Sequence, residues 1–242
     1  MRLTVVGSSP AWPNAGSPHS GYLVQGSGSL LLDCGPGVLG RLREGGNGWP
    51  EIDAIAITHW HLDHWGDLVP WVWGAMFGLG RGRERPELWL PPGGISKLAQ
   101  FGADFGTKTM FVDTFPLAEY TEGKPFATLA GLEVTATRVP HYTVEAYAFR
   151  VTDGKRSLVY SGDSAPAEQL ADAARGADLF ICEATLAESS LDATPRGHLS
   201  ADEALEVFNA SGATRLLLTH RPQELPVPDG VELAWDGLEL EI

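Results

Sequence analysis

Apolar residues in this chain fall into short runs punctuated by turn residues, with a few longer stretches at helical spacing. Three β-like runs come first: Leu3–Val6, Gly21–Val24 and Leu30–Asp33. Gln25-Gly26-Ser27-Gly28-Ser29 joins the second and third as a hairpin turn. Residues 7–20, rich in Gly, Pro, Ser and Asn, read as loop. Gly35-Pro36-Gly37 ends the third run and leads into a short helix, Val38–Arg43. Ile52–Ile57 is short, apolar and isoleucine-rich, which predicts a buried strand. Asp67–Phe77 is apolar nearly all round, contains Trp71 and Trp73, and reads as a buried or interface helix. Glu87–Leu90 and Met110–Asp113 read as strands, with a helix over Ser96–Phe105 between them. Leu132–Arg138, Ala146–Val151, Ser157–Tyr160 and Leu179–Cys182 are predicted strands, and Ala165–Arg175 a helix. Ser200–Ala210 is amphipathic, with Ser200 as N-cap and Glu203 at the capping-box position. Arg215–Leu218, Val231–Leu233 and Leu238–Ile242 close the chain with β character. Helices recurring among strands in both halves predict an α/β layered fold with helices on both sheet faces. With 242 residues and no repeat or clear linker, one domain over 1–242 is expected.

Composition narrows the class. Hydrophobic content of 43% and a mean hydropathy of −0.06 describe an ordinary globular chain. Cys34 and Cys182 are too few for a disulfide framework, and each closes an apolar run, so both read as reduced, buried and inert. The first residues read as a strand rather than a secretory signal, and no apolar run approaches a membrane span. A reducing cytoplasm and no membrane partner are the expectation. A net charge of −14 and a pI near 4.8 disfavour affinity built on nucleic-acid phosphates, which needs clustered Lys and Arg. The dense basic cluster Arg81, Arg83 and Arg85 reads first as a solvated loop and second as an attractor for an anionic substrate.

The chemistry begins directly after the Ile52–Ile57 run. Thr58-His59-Trp60-His61-Leu62-Asp63-His64 puts three of the seven histidines and a carboxylate within six residues. Neutral imidazole and carboxylate are the usual ligands of borderline divalent metals. In a regular strand His59, His61 and Asp63 would point one way and His64 the other; a sharp turn or helix start after His61 would let all four converge. Solvated histidines at a loop tip would be the plainer reading, but the density argues against it.

Other candidates stand just after apolar strands: Asp33, His141, Asp163, Glu183 and His220. Strand carboxyl ends are where α/β sheets bind ligands. Any one of them alone reads as a turn or cap residue; together with the cluster they predict one composite site. His59, His61, His64, His141 and His220 offer five imidazoles, and Asp63 and Asp163 two carboxylates. That donor count suits two metals, with zinc favoured and manganese compatible.

These residues resemble the metallo-β-lactamase-fold hydrolases. The resemblance rests on His59-x-His61-x-Asp63-His64, His141, Ser161-Gly162-Asp163-Ser164 and Leu218-Thr219-His220, in family order over nearly the whole chain. It implies a four-layer αββα sandwich with a dinuclear site at one edge. It implies that His59, His61 and His141 hold one metal, that Asp63, His64 and His220 hold the other, and that Asp163 bridges. Asp33 would orient a ligand rather than bind metal. His61 stands where the flavodiiron oxidoreductase branch usually has glutamate, which disfavours a redox role.

Cys182-Glu183-Ala184-Thr185 and Gly197-His198-Leu199-Ser200 are similar to motifs of the ribonuclease Z-like phosphodiesterase branch. That likeness implies that His198, supported by Glu183, handles the leaving group or the scissile phosphate, while Asp63 holds or accepts the nucleophile's proton. One departure stands out. Only 21 residues separate His141 from Asp163, too few for the tRNA-binding arm of ribonuclease Z. The expected activity is therefore a metal-dependent phosphodiesterase on small anionic phosphodiesters such as cyclic nucleotides. The rivals are an RNA 3′-processing endonuclease, a carboxyl ester, thioester or lactone hydrolase on the same fold, and a non-catalytic metal-binding protein. Trp60, Trp71 and Trp73 read first as core or as a homodimer interface, and second as a stacking platform for a base.

Overall fold

The structure, a computed structural model, describes residues 1–44, 48–127 and 131–242. One sheet contains β1 (Arg2–Gly7), β2 (Gly21–Gln25), β3 (Ser29–Leu32), β4 (Ala54–Ala56), β5 (Glu87–Leu90), β6 (Leu117–Glu119) and β14 (Glu239–Glu241), in the order β14-β1-β2-β3-β4-β5-β6. The other contains β7 (Phe126–Ala127), β8 (Glu133–His141), β9 (Val144–Thr152), β10 (Ser157–Tyr160), β11 (Leu179–Glu183), β12 (Leu216–Thr219) and β13 (Glu232–Leu233), in the order β13-β12-β11-β10-β9-β8-β7. In both sheets the pairing changes from antiparallel to parallel midway. β3 pairs antiparallel with β2 and parallel with β4, and β10 pairs antiparallel with β9 and parallel with β11.

Three apolar clusters define the layers. Leu30, Leu32, Ala54 and Ala56 from one sheet meet Val134, Phe149, Ile181 and Leu217 from the other between the sheets. Leu31 and Ile55 point the opposite way, under α1 (Val38–Arg43), α3 (Leu68–Phe77) and α4 (Gly94–Asp104). On the far side, Val159 and Phe180 pack under α5 (Glu168–Ala173) and α6 (Ala201–Ser211). Helix, sheet, sheet, helix is the expected αββα sandwich. It explains why its central strands read as unbroken apolar runs: both faces of each are covered.

The capping box of α6 is formed, with Ser200 and Glu203 each accepting the other's backbone N–H. Cys34 and Cys182 are buried and free, and burial raises both thiols well above their ordinary range. Met110–Asp113 is not a strand. Asp113 N bonds to Thr109 O and Phe115 N to Phe111 O, so the segment coils into successive turns that bury Met110 and Phe111. The strand of that region is β6, a short and half-polar Leu-Ala-Glu that carries little period-two signal. Helix α3 is only partly enclosed: Trp71 is buried against Trp49 and Phe115, while Trp73 and Phe77 stack on each other at the surface. Among the described residues no helix is long and apolar enough to cross a membrane.

Candidate metal centre

The chain leaves β4 at Ala56, bends at Trp60 and His61, and enters α2 (Leu62–Trp65) at the next residue. His61 has φ −72° and ψ 139°, still strand-like. His59 and His61 therefore project from the bending segment before α2 and Asp63 and His64 from its first turn, which resolves the alternation problem of a regular strand.

Asp33 sets this segment. It ends β3 with φ 58°, a left-handed conformation, and its buried carboxylate collects four donors from three elements. Oδ1 accepts the Thr58 N–H at 2.8 Å; Oδ2 accepts the Thr58 hydroxyl at 2.9 Å, the Tyr160 hydroxyl at 2.9 Å and His64 Nδ1–H at 2.7 Å. With its proton on Asp33, the Thr58 hydroxyl accepts His59 Nδ1–H at 3.1 Å. Each histidine is thereby held in the tautomer that turns Nε2 inward.

The opposite sheet supplies the remaining donors. His141 ends β8, and its Nδ1–H donates to Gly197 O at 2.7 Å, which again leaves Nε2 free. Asp163 follows β10 after Gly162, whose φ is 57° and whose added Cβ would lie 2.7 Å from Tyr147 O, so only glycine fits. His220 follows β12 with φ 52° and donates Nδ1–H to the Thr185 hydroxyl at 2.8 Å, which passes its own proton to Glu183 Oε2 at 2.8 Å.

The ligand atoms of His59, His61, His141 and Asp163 lie within 4.8 Å of one another, as do those of Asp63, His64, Asp163 and His220. Asp163 belongs to both groups. His141 Nε2 and His61 Nδ1 face each other at 2.9 Å, and His220 Nε2 approaches Asp63 Oδ2 at 3.2 Å. His59 Nε2, His64 Nε2 and Asp163 Oδ1 are buried with no hydrogen-bond partner; the 3.3 Å approach of the last two is an ion-pair distance without hydrogen-bond geometry. Buried polar atoms rarely stay unpaired. One imidazole nitrogen from each group and an oxygen of the carboxylate common to both are donors that fit divalent cations. The electrostatics agree. Burial opposes charge on His64, but Asp163, Asp63 and Asp33 outweigh it and hold its pKa well above the usual range. Burial would raise Asp63 and Asp163, but the surrounding histidines outweigh it and hold both well below the carboxylate range. Burial keeps His59, His61 and His141 neutral, the form a metal binds. The metal-free cluster thus keeps a positive charge on His64, among carboxylates, where a cation would sit.

Glu183 and His198 adjoin the cluster. Glu183 is buried; Oε1 accepts His198 Nδ1–H and the Ser164 N–H, each at 2.8 Å. The His198 ring lies 4.9 Å from that of His141 and 5.7 Å from that of His220. Burial disfavours its charge, yet Glu183 prevails and lifts its pKa to about 9.

All the residues singled out from the sequence for this centre, and Asp33 beside them, meet in one place. His19 and the Arg81–Arg85 cluster lie elsewhere: the His19 ring contacts Ala11 O and Pro36 O, Arg83 pairs with exposed Glu51, and Arg85 bonds to Asp113 O. Trp60 packs on Trp65 with Lys97 Nζ 5.4 Å over its ring. Thr58, Thr185 and Gly197 stand inside the motifs and Tyr160 in a predicted strand, but their orienting roles are not legible, because a hydroxyl or carbonyl carries no mark of its contact across the sandwich.

The β-lactamase superfamily domain profile matches residues 29–221. The chain is 33% identical over 225 residues to a protein of Bacillus subtilis described as probable metallo-hydrolase YhfI, covering 92% of this chain and 87% of that one. The crystal structure of YhfI superposes with a TM-score of 0.83 over 99% of both chains at 27% identity. Ribonuclease Z of Methanothermobacter thermautotrophicus is 29% identical over 268 residues, covering 91% of this chain and 86% of that one. Zn(2+)-bound PqqB of Methylobacterium extorquens shares the fold, with a TM-score of 0.80 over 100% of both chains at 18% identity.

Proposed function

We propose that this chain, which belongs to the β-lactamase superfamily and is a metal-dependent hydrolase of that fold, cleaves small phosphodiesters at a centre of two divalent ions, zinc in the first place. In this reading His59, His61 and His141 hold one ion, Asp63, His64 and His220 the other, and Asp163 both. The observation that carries the phosphodiester assignment is the Glu183–His198 pair, 2.8 Å apart, set against the ring faces of two of these ligands. A thioester expels a thiolate that departs without protonation, whereas an unactivated phosphodiester expels an alkoxide that needs a proton from a positioned acid.

When bound, the ions supply an acidified water and neutralise charge on the phosphoryl oxygens. His198 presents Nε2 to the leaving oxygen while Glu183 accepts Nδ1–H and favours the charged imidazolium. Asp63, beside His64 and His220, holds or accepts the proton of the attacking water. The substrate is a small anionic diester such as a cyclic nucleotide, met in the cytoplasm. The turn from β8 to β9 consists of Tyr142 and Thr143 alone, which leaves no arm to hold tRNA. The likeness to a ribonuclease Z supports RNA as the second reading.

The test is metal analysis coupled to a panel of cyclic nucleotides, an aryl phosphodiester, RNA and a thioester. Two metal equivalents and turnover of the diesters are expected. His198→Ala should lower turnover about 10²-fold or more with metal content unchanged; equal loss of both would sink the leaving-group role, and preference for the thioester would sink the assignment.

A further inference from the structure

Asp192 lies six residues before His198, in a surface loop, yet its carboxyl group is 1% exposed. A buried carboxylate is unfavourable unless it is well bonded. This one accepts the Ala193 N–H at Oδ1 (2.8 Å) and the Gly197 N–H (2.9 Å), the His198 N–H (3.1 Å) and Arg196 Nε–H (3.3 Å) at Oδ2. The Tyr142 hydroxyl is directed at the same group.

The segment gathered in this way touches both halves of the site. Its Gly197 carbonyl orients His141, and its Arg196 carbonyl accepts the Tyr142 N–H at 2.9 Å. Arg196 donates to the His198 carbonyl and forms a fork with Glu203 at the start of α6, Nη1–Oε1 2.6 Å and Nη2–Oε2 2.9 Å. The Tyr142 ring closes over Gly197, where a Cβ would meet it at 2.4 Å. The backbone N–H of His198 and that of Gly197 before it are both held by this one carboxylate.

We propose that Asp192 is a positioning residue for the leaving-group side of the site: by closing residues 193–198 around its carboxylate it sets where His198 Nε2 meets the departing oxygen. The proposal rests on the phosphodiester reading above. A diester with a good leaving group, such as p-nitrophenolate, needs little protonation, whereas an alkyl or cyclic diester needs it fully.

The experiment compares wild type, Asp192→Ala, Asp192→Asn, His198→Ala and the Asp192→Ala/His198→Ala double variant. Metal content, kcat and KM on an aryl and an unactivated diester, and amide hydrogen exchange are measured for each. Assayed at saturating zinc, so that any weakening at His141 through Gly197 O is made up, Asp192→Ala is expected to keep full metal content, to hold aryl-diester kcat within about threefold, and to lose about 10²-fold in kcat on the unactivated diester with KM little changed. The double variant should be no slower than His198→Ala, because both remove one unit. Asp192→Asn, which keeps the shape and one acceptor, should recover part of the loss. Equal loss on both diesters, loss of metal in parallel, or additive losses would overturn the proposal. If wild type cleaves neither diester, the phosphodiester reading fails and exchange alone decides the positioning. Loss of protection confined to the amides of 193–199 in Asp192→Ala supports it, and unchanged protection there rejects it.

Discussion

At the scale of single residues, the decisive atoms at this centre are the ones that do not face the metal. Asp33 orients His64 directly and His59 through Thr58, so its removal disturbs two imidazoles at once while touching no ligand atom itself. Asp33→Ala should lower metal affinity 10- to 100-fold. It should also destabilise the fold by about 3 kcal/mol, since it strands several buried donors. Chelator competition and urea unfolding measure the two effects, and unchanged affinity would show that His59 and His64 need no orientation from Asp33. The other residue-scale prediction concerns protons. His198 in the metal-free protein is held charged by Glu183 up to about pH 9, above the ordinary imidazole value of about 6.5. A raised pKa stabilises the fold fully below about pH 6.5, and that contribution is lost as the pH rises through about 9. Glu183→Gln should drop the His198 midpoint below about 7 in an NMR titration of metal-free protein, and should flatten that part of the stability profile; a midpoint still near 9 would assign the shift to other groups. The inner donors are readable in the sequence because His59, His61, Asp63 and His64 crowd into six residues, and His141, Asp163 and His220 each stand at or just past the end of an apolar strand. Their supports are not: Tyr160 reads as a strand residue, Thr185 as part of a motif without a role, and Asp192 as an ordinary loop aspartate.

At the scale of elements, the site depends on α2 starting where it does. Gly35, in the turn after β3, lies so close to α2 that an added Cβ would sit 2.0 Å from Asp63 O and 2.7 Å from His19 Cβ. The contact is backbone, so relief requires α2 itself to move, and Asp63 and His64 with it. Overpacking of this kind costs typically 1–3 kcal/mol, and more where backbone must yield. Gly35→Ala should therefore lose stability in that range and lower occupancy of the Asp63/His64/His220 side before the other, which metal titration followed by histidine NMR would resolve. Equal weakening of both sides would mean that the turn acts on the fold alone. Elements with a clean period or cap are legible: the β2–β3 hairpin, α1, β10 and capped α6 all stand within a residue of expectation, whereas after His61 the sequence leaves a sharp turn and a helix start both open. Met110–Asp113 failed because four residues that combine burial with a turn signal look alike as strand or coil, and only the pairing of β6 with β5 decides between them.

At the scale of the whole molecule, the centre is a clasp between two sheets. Asp33, His59, His61, Asp63 and His64 come from the sheet built on β1–β6 and β14, while His141, Asp163 and His220 come from the sheet built on β7–β13. Without a cation, both sides bring buried carboxylates and imidazoles together with three buried polar atoms unpaired. A cation that binds this arrangement and not the unfolded chain stabilises folding by about 4 kcal/mol when present at a thousand times its dissociation constant. For a chain of this size, each kcal/mol moves the melting temperature by about 2–4 °C. Removing metal by chelation should accordingly lower Tm by roughly 10 °C, and returning zinc should restore it. The sandwich core between the sheets does not depend on the metal, so the chelated protein should keep its β-sheet circular dichroism below that lower Tm. Asp163 contributes to both ligand groups, so Asp163→Ala should abolish most of the zinc-dependent rise, whereas His61→Ala, which removes one half-exposed donor from one group, should leave part of it. A zinc-dependent rise that survives Asp163→Ala undiminished would mean that the ion holds one sheet only and that the two sides of the cluster are not joined through this carboxylate.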